Sequence, residues 1–404
     1  MAILEPYNDY YPIQYDYVQQ LPYGWQLLPN IAIFDERKER GTQNEETLSI
    51  SAIRGIIKSS DYENRKDRTS ENKSQYLLVK KDDLAYNTML MWDGAIGHSA
   101  FRGIVSPAYT VLKPKKIVNP KYYHYLFRAE FYKNYSKRHS YGIVDARLRL
   151  YYVHFKRMYS IVPPLETQNA IVEYLDRKNA EIDAFISKKQ RLIELLKEKI
   201  YLLINSNTAY KEEKAKWIFD EINIKNNRDE ELLAVTQDRG VLPKNLCEEN
   251  FVSPNNTEGL KLVSVNDFVI SLRSFQGGIE YSNYQGIVSP AYNVIRLNPC
   301  FNNLLYLNFY KYYFKSPKLI SLLNTVISGI RDGQNINWND FKNLELALPA
   351  TDSMEDLIPL IKSYETLKLD FEIEAKKVEE YRQALITDMV TGKYKVPQLQ
   401  TAEI

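Results

Sequence analysis

Cysteine and histidine are scarce in this chain, which has two cysteines and four histidines among 404 residues. Cys247 and Cys300 do not have the spacing of zinc ligands, and the histidines are scattered along the sequence. A metal site is therefore not expected.

Long apolar runs are also missing, since none approaches the roughly 18 residues that a membrane-spanning helix needs. The first ten residues, MAILEPYNDY, lack the basic start and apolar stretch of a secretory signal. Together these absences lead us to expect a cytoplasmic protein.

Several enzyme motifs are absent: G-x-x-x-x-G-K-[ST], G-x-G-x-x-G after a strand, H-E-x-x-H and G-x-S-x-G. The Asn/Asp-Pro-Pro-aromatic tetrapeptide of an amino-methyltransferase is missing too, because VPPLE at 162–166 has the prolines without the flanking residues. Asp82, Asp83 and Asp93 are the acids considered for a nuclease site. Adjacent acids in a loop are usually solvated, and the second half of the chain does not repeat them. We therefore expect no catalytic site in this chain.

What the sequence does have is enough apolar material for more than one core. Apolar residues make up 44% and charged residues 26%, which is typical of a globular chain of two or three domains. The 32 tyrosines lead us to expect a tyrosine-rich surface with much buried interface.

One heptapeptide, GIVSPAY, occurs twice, at 103–109 and at 286–292. Further segments match at nearly the same offset: EETLSISAIRGII at 45–57 pairs with EELLAVTQDRGVL at 230–242, and HFKRMYSIVP at 154–163 pairs with DFKNLELALP at 340–349. A repeat this long is a duplicated domain or domain pair and not a solenoid unit. The shared SPAY stretch is predicted to be scaffold strand and turn, away from any ligand.

Each half ends in a long segment with helical periodicity, and no glycine or proline occurs between Leu165 and Leu203. Sustained heptads favour pairing of the two helices, although each helix could instead pack on its own domain. About 40 helical residues would span roughly 60 Å. The predicted helix-pair seam consists of Leu175, Ile182, Ile186, Ile193, Leu196, Ile200, Leu203, Leu357, Leu360, Tyr364, Leu367, Phe371, Val378, Tyr381 and Leu385.

The net charge of +2 hides a strong local imbalance. Between Lys113 and Arg157 there are twelve lysines and arginines, eleven aromatic residues and only two acids. Basic surface of this kind suits phosphate binding, although such a window can also be an ordinary solvated helix face. The residues predicted to contact DNA are polar residues on loops of the two halves: Arg54, Lys58, Arg68, Arg138, His139, Arg147 and Arg149 in the first half, and Arg239, Lys244, Arg273, Gln276, Arg331, Gln334 and Asn335 in the second.

Four motifs carry a resemblance to a known family. They are LPYGWQ at 21–26, IVPPLETQNAIVEYLDRKNAEID at 161–183, LPATDSMEDLIPLI at 348–361 and LITDMVTGKY at 385–394. Over nearly its whole length the chain resembles the specificity (S) subunit of type I restriction–modification systems. The second helix opening departs from the first, with Ser353 and Met354 where the first copy has Thr167 and Gln168.

The resemblance implies an α+β fold with two tandem-duplicated mixed α/β target-recognition domains, separated by two long antiparallel coiled-coil helices with pseudo-two-fold symmetry. The implied boundaries are 1–163 and 205–350 for the recognition domains, 164–204 and 351–392 for the helices, and 393–404 for a tail. Each domain would recognise one half of a split DNA target, and the helices would fix the unread spacer between the halves.

The resemblance also implies partners. Methyltransferase (M) subunits, two in number, would dock on this chain and use S-adenosylmethionine to methylate adenine N6 in double-stranded DNA. Restriction (R) subunits would add ATP- and Mg-dependent cleavage, and this chain itself would hold no cofactor. Two alternatives stay open: a non-catalytic coiled-coil scaffold for protein partners, and a stand-alone nuclease.

Overall fold

The computed structural model of the chain describes residues 4–42, 44–52, 54–61, 73–144, 147–206, 210–237, 239–247, 258–327 and 336–397. It divides into two compact units. Unit 1 combines 1–186 with 374–404, and unit 2 is the continuous segment 187–373. Each unit therefore contains part of both long helices, whereas the sequence-based boundaries list the helices apart from the domains.

Unit 1 is built from short strands followed by helices. Its strands are β1 (Tyr10–Tyr15), β2 (Val18–Pro22), β3 (Gln26–Pro29), β4 (Phe34–Glu36), β5 (Leu48–Ser51), β6 (Gly55–Lys58), β7 (Leu77–Val79), β8 (Leu84–Asn87), β9 (Ile96–His98), β10 (Gly103–Val105), β11 (Tyr109–Pro114) and β12 (Tyr159–Val162). Its helices are α1 (Pro120–Arg128), α2 (Glu130–Arg138), α3 (Tyr152–Phe155) and the first part of α4 (Leu165–Ser206).

Unit 2 follows the same order of elements. Its strands are β13 (Lys211–Lys214), β14 (Phe219–Ile222), β15 (Leu233–Thr236), β16 (Gly240–Pro243), β17 (Lys261–Val263), β18 (Phe268–Ile270), β19 (Glu280–Tyr281), β20 (Gly286–Val288), β21 (Asn293–Leu297) and β22 (Glu345–Leu348). Its helices are α5 (Ala215–Ile218), α6 (Ser274–Gly277), α7 (Leu304–Tyr313), α8 (Pro317–Leu323), α9 (Trp338–Phe341) and the first part of α10 (Leu357–Val390).

The two units share one sheet topology. Four antiparallel strands run in the order β4-β11-β8-β9 in unit 1 and β14-β21-β18-β19 in unit 2. The hairpin β5-β6 corresponds to β15-β16, the pair β10-β7 to β20-β17, and the pair β3-β12 to β13-β22. The duplication detected in the sequence is thus present in the fold, and the α+β class is confirmed.

The repeated heptapeptide supplies a buried strand and a turn in each unit. Strands β10 and β20 are buried along their whole length. A methyl group at Gly103 would lie 2.5 Å from the Glu46 carbonyl oxygen, and one at Gly286 would lie 2.3 Å from that of Glu231. Because a neighbouring backbone crosses at this point in both copies, only glycine fits.

Most of the tyrosines in the basic window fill the core of unit 1. Tyr122, Tyr123, Tyr132 and Tyr135 are all buried, and their rings meet other rings at centroid separations of 4.7 to 6.3 Å. In unit 2, Tyr310 and its aromatic neighbours on α7 do the same. Five of the eight tyrosines of the window are therefore buried, whereas Tyr141 and Tyr151 are exposed.

The long helices enter the cores at their ends. The start of α4 and the end of α10 share the core of unit 1, where Leu175 and Leu385 are buried. The end of α4 and the start of α10 share the core of unit 2, where Ile200 and Leu357 are buried. The buried members of the predicted seam are Leu175, Ile182, Ile200, Leu357, Tyr364 and Leu385.

The other seam residues are less buried, and pairing along the whole helices stays a prediction. Tyr381 is exposed. The half-buried members are Ile186, Ile193, Leu196, Leu203, Leu360, Leu367, Phe371 and Val378.

Helix α10 begins at Leu357, six residues later than the sequence suggested, after a 3₁₀ turn at Thr351–Met354. Pro359 falls in its first turn, where a proline is tolerated because the backbone N–H has no partner there. No helix in the described part of the chain is long and apolar enough to cross a membrane.

Candidate nucleic-acid interface

Each unit exposes an arginine at the tip of a β-hairpin. Arg54 precedes Gly55 in the β5–β6 turn, and Arg239 precedes Gly240 in the β15–β16 turn. Both glycines have positive φ, +72° and +77°, which such a tight turn requires. The Arg-Gly pair that occurs in both matching segments, 45–57 and 230–242, therefore places an exposed guanidinium at equivalent positions.

A second loop lies beside each hairpin. In unit 1, strand β9, which follows the β8–β9 loop, approaches strand β6 of the hairpin so closely that a methyl group at Gly97 would lie 2.7 Å from the backbone nitrogen of Ile56. In unit 2 the β18–β19 loop contains α6, and Gln237 Nε2 of the hairpin donates to the Arg273 carbonyl at 3.2 Å. We call each hairpin turn and its neighbouring loop the turn–loop edge of that unit.

In unit 2, three of the predicted DNA contacts meet at the turn–loop edge. Arg239 is on the hairpin turn, and Arg273 and Gln276 are on the neighbouring loop, all three exposed. Arg239 Nη1 also donates to the carbonyl of Leu246 at 3.1 Å, which fixes its position. Lys244 begins the 3₁₀ turn Lys244–Leu246 and is half-buried. Guanidinium and amide groups held in this way are the groups that form paired hydrogen bonds to base edges.

In unit 1, Arg54 is on the turn–loop edge, and Lys58 ends strand β6 with its ammonium 5.5 Å from the Phe101 ring centroid. Two lysines near the β8–β9 loop were not predicted from the sequence. Lys133 packs on Gly94, and the Lys137 ammonium lies 5.3 Å from the Trp92 ring centroid. Their spacing of four residues on α2, between the buried tyrosines, was the signal that could have identified them.

The remaining predicted residues of unit 1 lie elsewhere. Arg138 Nη1 donates to Asp16 at 2.7 Å, and His139 Nδ1 lies 3.0 Å from the Tyr135 carbonyl oxygen, so both are engaged within the chain. Arg147 is exposed just before Arg149. Arg149 lines a separate cavity of about 720 Å³ together with Lys38 and Lys156. Arg68, Arg331, Gln334 and Asn335 lie outside the described residues.

A cleft of about 720 Å³ adjoins the turn–loop edge of unit 2. Arg239 and Lys311 line it from the globular part, and Lys197 and Lys368 line it from the long helices. Glu365 lies in the same cleft and accepts hydrogen bonds from Lys311 Nζ at 2.6 Å and from the Tyr312 hydroxyl at 2.9 Å.

Unit 1 has the same kind of junction between a short helix and a long one. Asp176 of α4 accepts from Lys121 Nζ and from the Tyr125 hydroxyl, each at 2.6 Å, and both donors are on α1. In both units an ammonium and a phenol therefore hold one carboxylate of a long helix. These contacts fix the helix that follows the sheet against the long helix of its own unit.

Buried acids of the two units serve structure. Contrary to the expectation for adjacent loop acids, Asp83 is buried, and it receives Arg37 through Nε at 2.7 Å and Nη2 at 2.9 Å. Contrary to the expectation that the second half does not repeat these acids, Asp267 is the counterpart of Asp83 in unit 2, where Arg296 holds it at 2.6 and 2.9 Å. Among the described residues, no group of three or more His, Cys, Asp or Glu is placed to hold a metal ion.

The fold resembles that of a solved chain from work on complex assembly and conformational transition of the type I R-M system. The match has a TM-score of 0.57 at 14% identity and covers 92% of this chain and 99% of that one. The two chains share a fold.

Two further solved chains match with lower TM-scores. The HsdS subunit from Thermoanaerobacter tengcongensis gives 0.48 at 13% identity, covering 92% of this chain and 98% of its own. The type I restriction–modification S subunit from M. genitalium gives 0.44 at 10% identity, covering 94% and 98%. No protein-family model and no curated protein sequence matches the chain.

Proposed function

We propose that this chain is the DNA-specificity subunit of a type I restriction–modification complex and is non-catalytic by itself. The observation that carries the proposal is the duplicated turn–loop edge, with an exposed arginine at the same hairpin position of each unit. A duplicated scaffold with different polar residues at one equivalent place is suited to recognising two different sequences. The shared fold over nearly the whole chain supports the assignment.

In this proposal each unit recognises one half of a split double-stranded DNA target. Arg239, Arg273 and Gln276 contact bases or phosphates in unit 2, and Arg54, Lys133 and Lys137 do so in unit 1. Arginine and glutamine suit base edges in the major groove, whereas lysine suits phosphate. The long helices set the unread spacer between the half-sites and dock the methyltransferase subunits.

The chemistry belongs to the partners. Two methyltransferase subunits use S-adenosylmethionine to methylate adenine N6, and restriction subunits use ATP and Mg to cleave DNA. The contribution of this chain is therefore binding and selection of sequence, and its loss removes the target of the whole complex.

Selection from random DNA tests the proposal. The chain, bound to its methyltransferase subunits, is incubated with a pool of random duplexes, and the retained molecules are sequenced. We expect two short motifs at one fixed separation. Retention without any sequence preference, or of a single uninterrupted motif, would contradict the proposal.

A charge-reversed variant separates DNA recognition from a protein scaffold. Replacing Arg54, Lys133 and Lys137 with glutamate should abolish retention of DNA while the methyltransferase subunits stay bound. Unchanged DNA retention would favour the scaffold alternative, and cleavage of DNA by the natural chain alone would favour the nuclease.

A further inference from the structure

A half-buried cation, Arg128, joins the hairpin turn to its neighbouring loop in unit 1. Arg128, the last residue of α1, donates through Nη1 to the carbonyls of Ser51 at 3.3 Å and Ile96 at 3.1 Å. Its Nη2 donates to the carbonyl of Ala52 at 2.5 Å, and Nη1 also lies 3.4 Å from that of Gly94. One guanidinium thus contacts carbonyls on both sides of the turn–loop edge.

The equivalent position of unit 2 carries Lys315, which makes the corresponding contacts. Its ammonium donates to the carbonyl of Gln237 on the hairpin turn and to that of Gly277 on the loop, each at 3.0 Å. Gln237 corresponds to Ala52, and Gly277 corresponds to Gly94, in the alignment of the two halves. The bridging contact has therefore been kept although the residue type differs.

The differences between the two units follow from donor chemistry. A lysine has three donors, and the third N–H of Lys315 meets the carboxylate of Glu280, which is buried. Unit 1 has Gly97 at the position of Glu280, and its arginine, with five donors in a planar fork, contacts the four carbonyls named above. Each cation is thus matched to the acceptors around it.

We infer that Arg128 and Lys315 are positioning residues for sequence specificity, each holding the turn and loop of its unit in one geometry for base recognition. Neither side chain is placed to contact DNA itself, because each is directed at carbonyls beneath the edge. Since a shift of about 1 Å disrupts paired hydrogen bonds to a base, loosening the edge should lower discrimination more than overall binding. The inference rests on the proposed DNA recognition.

The test compares Arg128→Gln, Lys315→Gln and the control Arg177→Gln in the complex with methyltransferase subunits. Arg177 is on α4 in unit 1 and pairs with Glu181 at 4.0 Å, away from the edge. We expect Arg128→Gln to reduce discrimination about tenfold at one half-site only, since one lost base contact is worth that much. Lys315→Gln should do the same at the other half-site, and the control should behave as the natural chain does.

A readout without DNA separates this inference from the proposed function. Hydrogen exchange of backbone amides should become faster in the β5–β6 turn and the β8–β9 loop of Arg128→Gln, and stay unchanged in unit 2. A natural chain that selects no split sequence would contradict the proposed function, whereas the exchange experiment would still test the bridge.

Conservative variants cover the case in which a glutamine variant does not fold. Arg128→Lys and Lys315→Arg keep the charge but change the number and direction of donors, so each should lose about threefold in discrimination, less than a whole base contact. Folded variants that keep full discrimination at both half-sites, with unchanged exchange in turn and loop, would overturn the inference.

Discussion

Asp83 and Asp267 are equivalent residues of the two units. Each is neutralised by an arginine, but the two arginines come from different places in the fold. Arg37 follows β4, whereas Arg296 is on β21. Each carboxylate also accepts a backbone N–H three residues before it, from Lys80 at 2.8 Å and from Ser264 at 2.7 Å. A buried carboxylate left without its cation is strongly destabilising. Both units therefore neutralise this carboxylate with an arginine, but the arginine occupies a different position in each unit.

The glycines of the repeated heptapeptide give a stability prediction. Gly103→Ala and Gly286→Ala should each lower the free energy of unfolding by about 1–3 kcal/mol, because the new methyl group meets a carbonyl oxygen of the neighbouring backbone. Gly259 has open space around its position and serves as the matched control, with a change of about 1 kcal/mol or less. Thermal or denaturant unfolding measures the difference. Equal effects at all three positions would mean that the close approach does not constrain the fold.

His124 gives a pH prediction. Burial lowers its pKa well below the usual value, and Arg128, His98 and Lys121 lower it further. The unfolded chain therefore binds this proton more readily. Stability is fully present above pH 6.5, the usual pKa of histidine, and falls as the pH decreases below it, by up to about 1.4 kcal/mol per pH unit.

The free energy of unfolding is measured in two buffers, at about pH 7.5 and about pH 5.5, on either side of the usual pKa of histidine. His124→Gln should lose less stability between the two than the natural chain, while His139→Gln should keep the natural response because His124 is still present. An identical pH response in His124→Gln would show that this imidazole is not the group that titrates.

Among the secondary-structure elements, the long helices were the most predictable from sequence. A stretch without glycine or proline and with sustained heptads identifies α4 almost to the residue. The start of α10 was harder to predict, because a proline such as Pro359 is compatible both with the first turn of a helix and with the segment before it.

The turn–loop edges were only partly predictable. Arg54 and Arg239 were among the polar residues predicted to contact DNA, whereas Arg128 and Lys315 were not predicted, because their partners are distant in sequence. Every residue has a backbone carbonyl, so the sequence does not indicate which carbonyls accept these hydrogen bonds, and only the structure shows it. Tyr122 and Tyr123 pack inward, and the sequence alone could not distinguish this arrangement from a basic, aromatic surface.

A helix insertion tests the spacer role. Adding seven residues after Ile186 in α4 and after Ile373 in α10 keeps the heptad register. The added length is about 10.5 Å at 1.5 Å per residue, or about three base pairs of B-DNA at 3.4 Å each. The two recognised half-sites should stay the same while the gap between them grows by that number.

DNA selection with the lengthened chain measures the gap directly. A control with seven alanine substitutions at exposed positions of the same helices should leave the gap as it is. A gap that does not change with helix length would exclude the helices as the spacer.

At the scale of the whole molecule, the two ends of the sequence meet in unit 1. The Lys395 N–H donates to the Glu5 carbonyl at 2.7 Å, and the Tyr10 hydroxyl donates to the Lys393 carbonyl at 2.9 Å. Gly392, from the VTGKY motif, packs on Pro22 and Trp25 of the LPYGW motif. Two motifs that suggested the family from opposite ends of the chain thus form one contact, which makes unit 1 discontinuous in sequence while unit 2 is continuous.

The most direct test of the central claim is adenine-methylation mapping of the host genome with the gene intact, deleted and restored. If the chain is the specificity subunit, we expect a split motif, methylated at adenine N6 in both halves, that disappears on deletion and returns on restoration. A second restored strain carrying Arg239→Ala, Arg273→Ala and Gln276→Ala should lose or relax one half of that motif and keep the other. Split methylated motifs that all persist after deletion would contradict a role of this chain in DNA specificity.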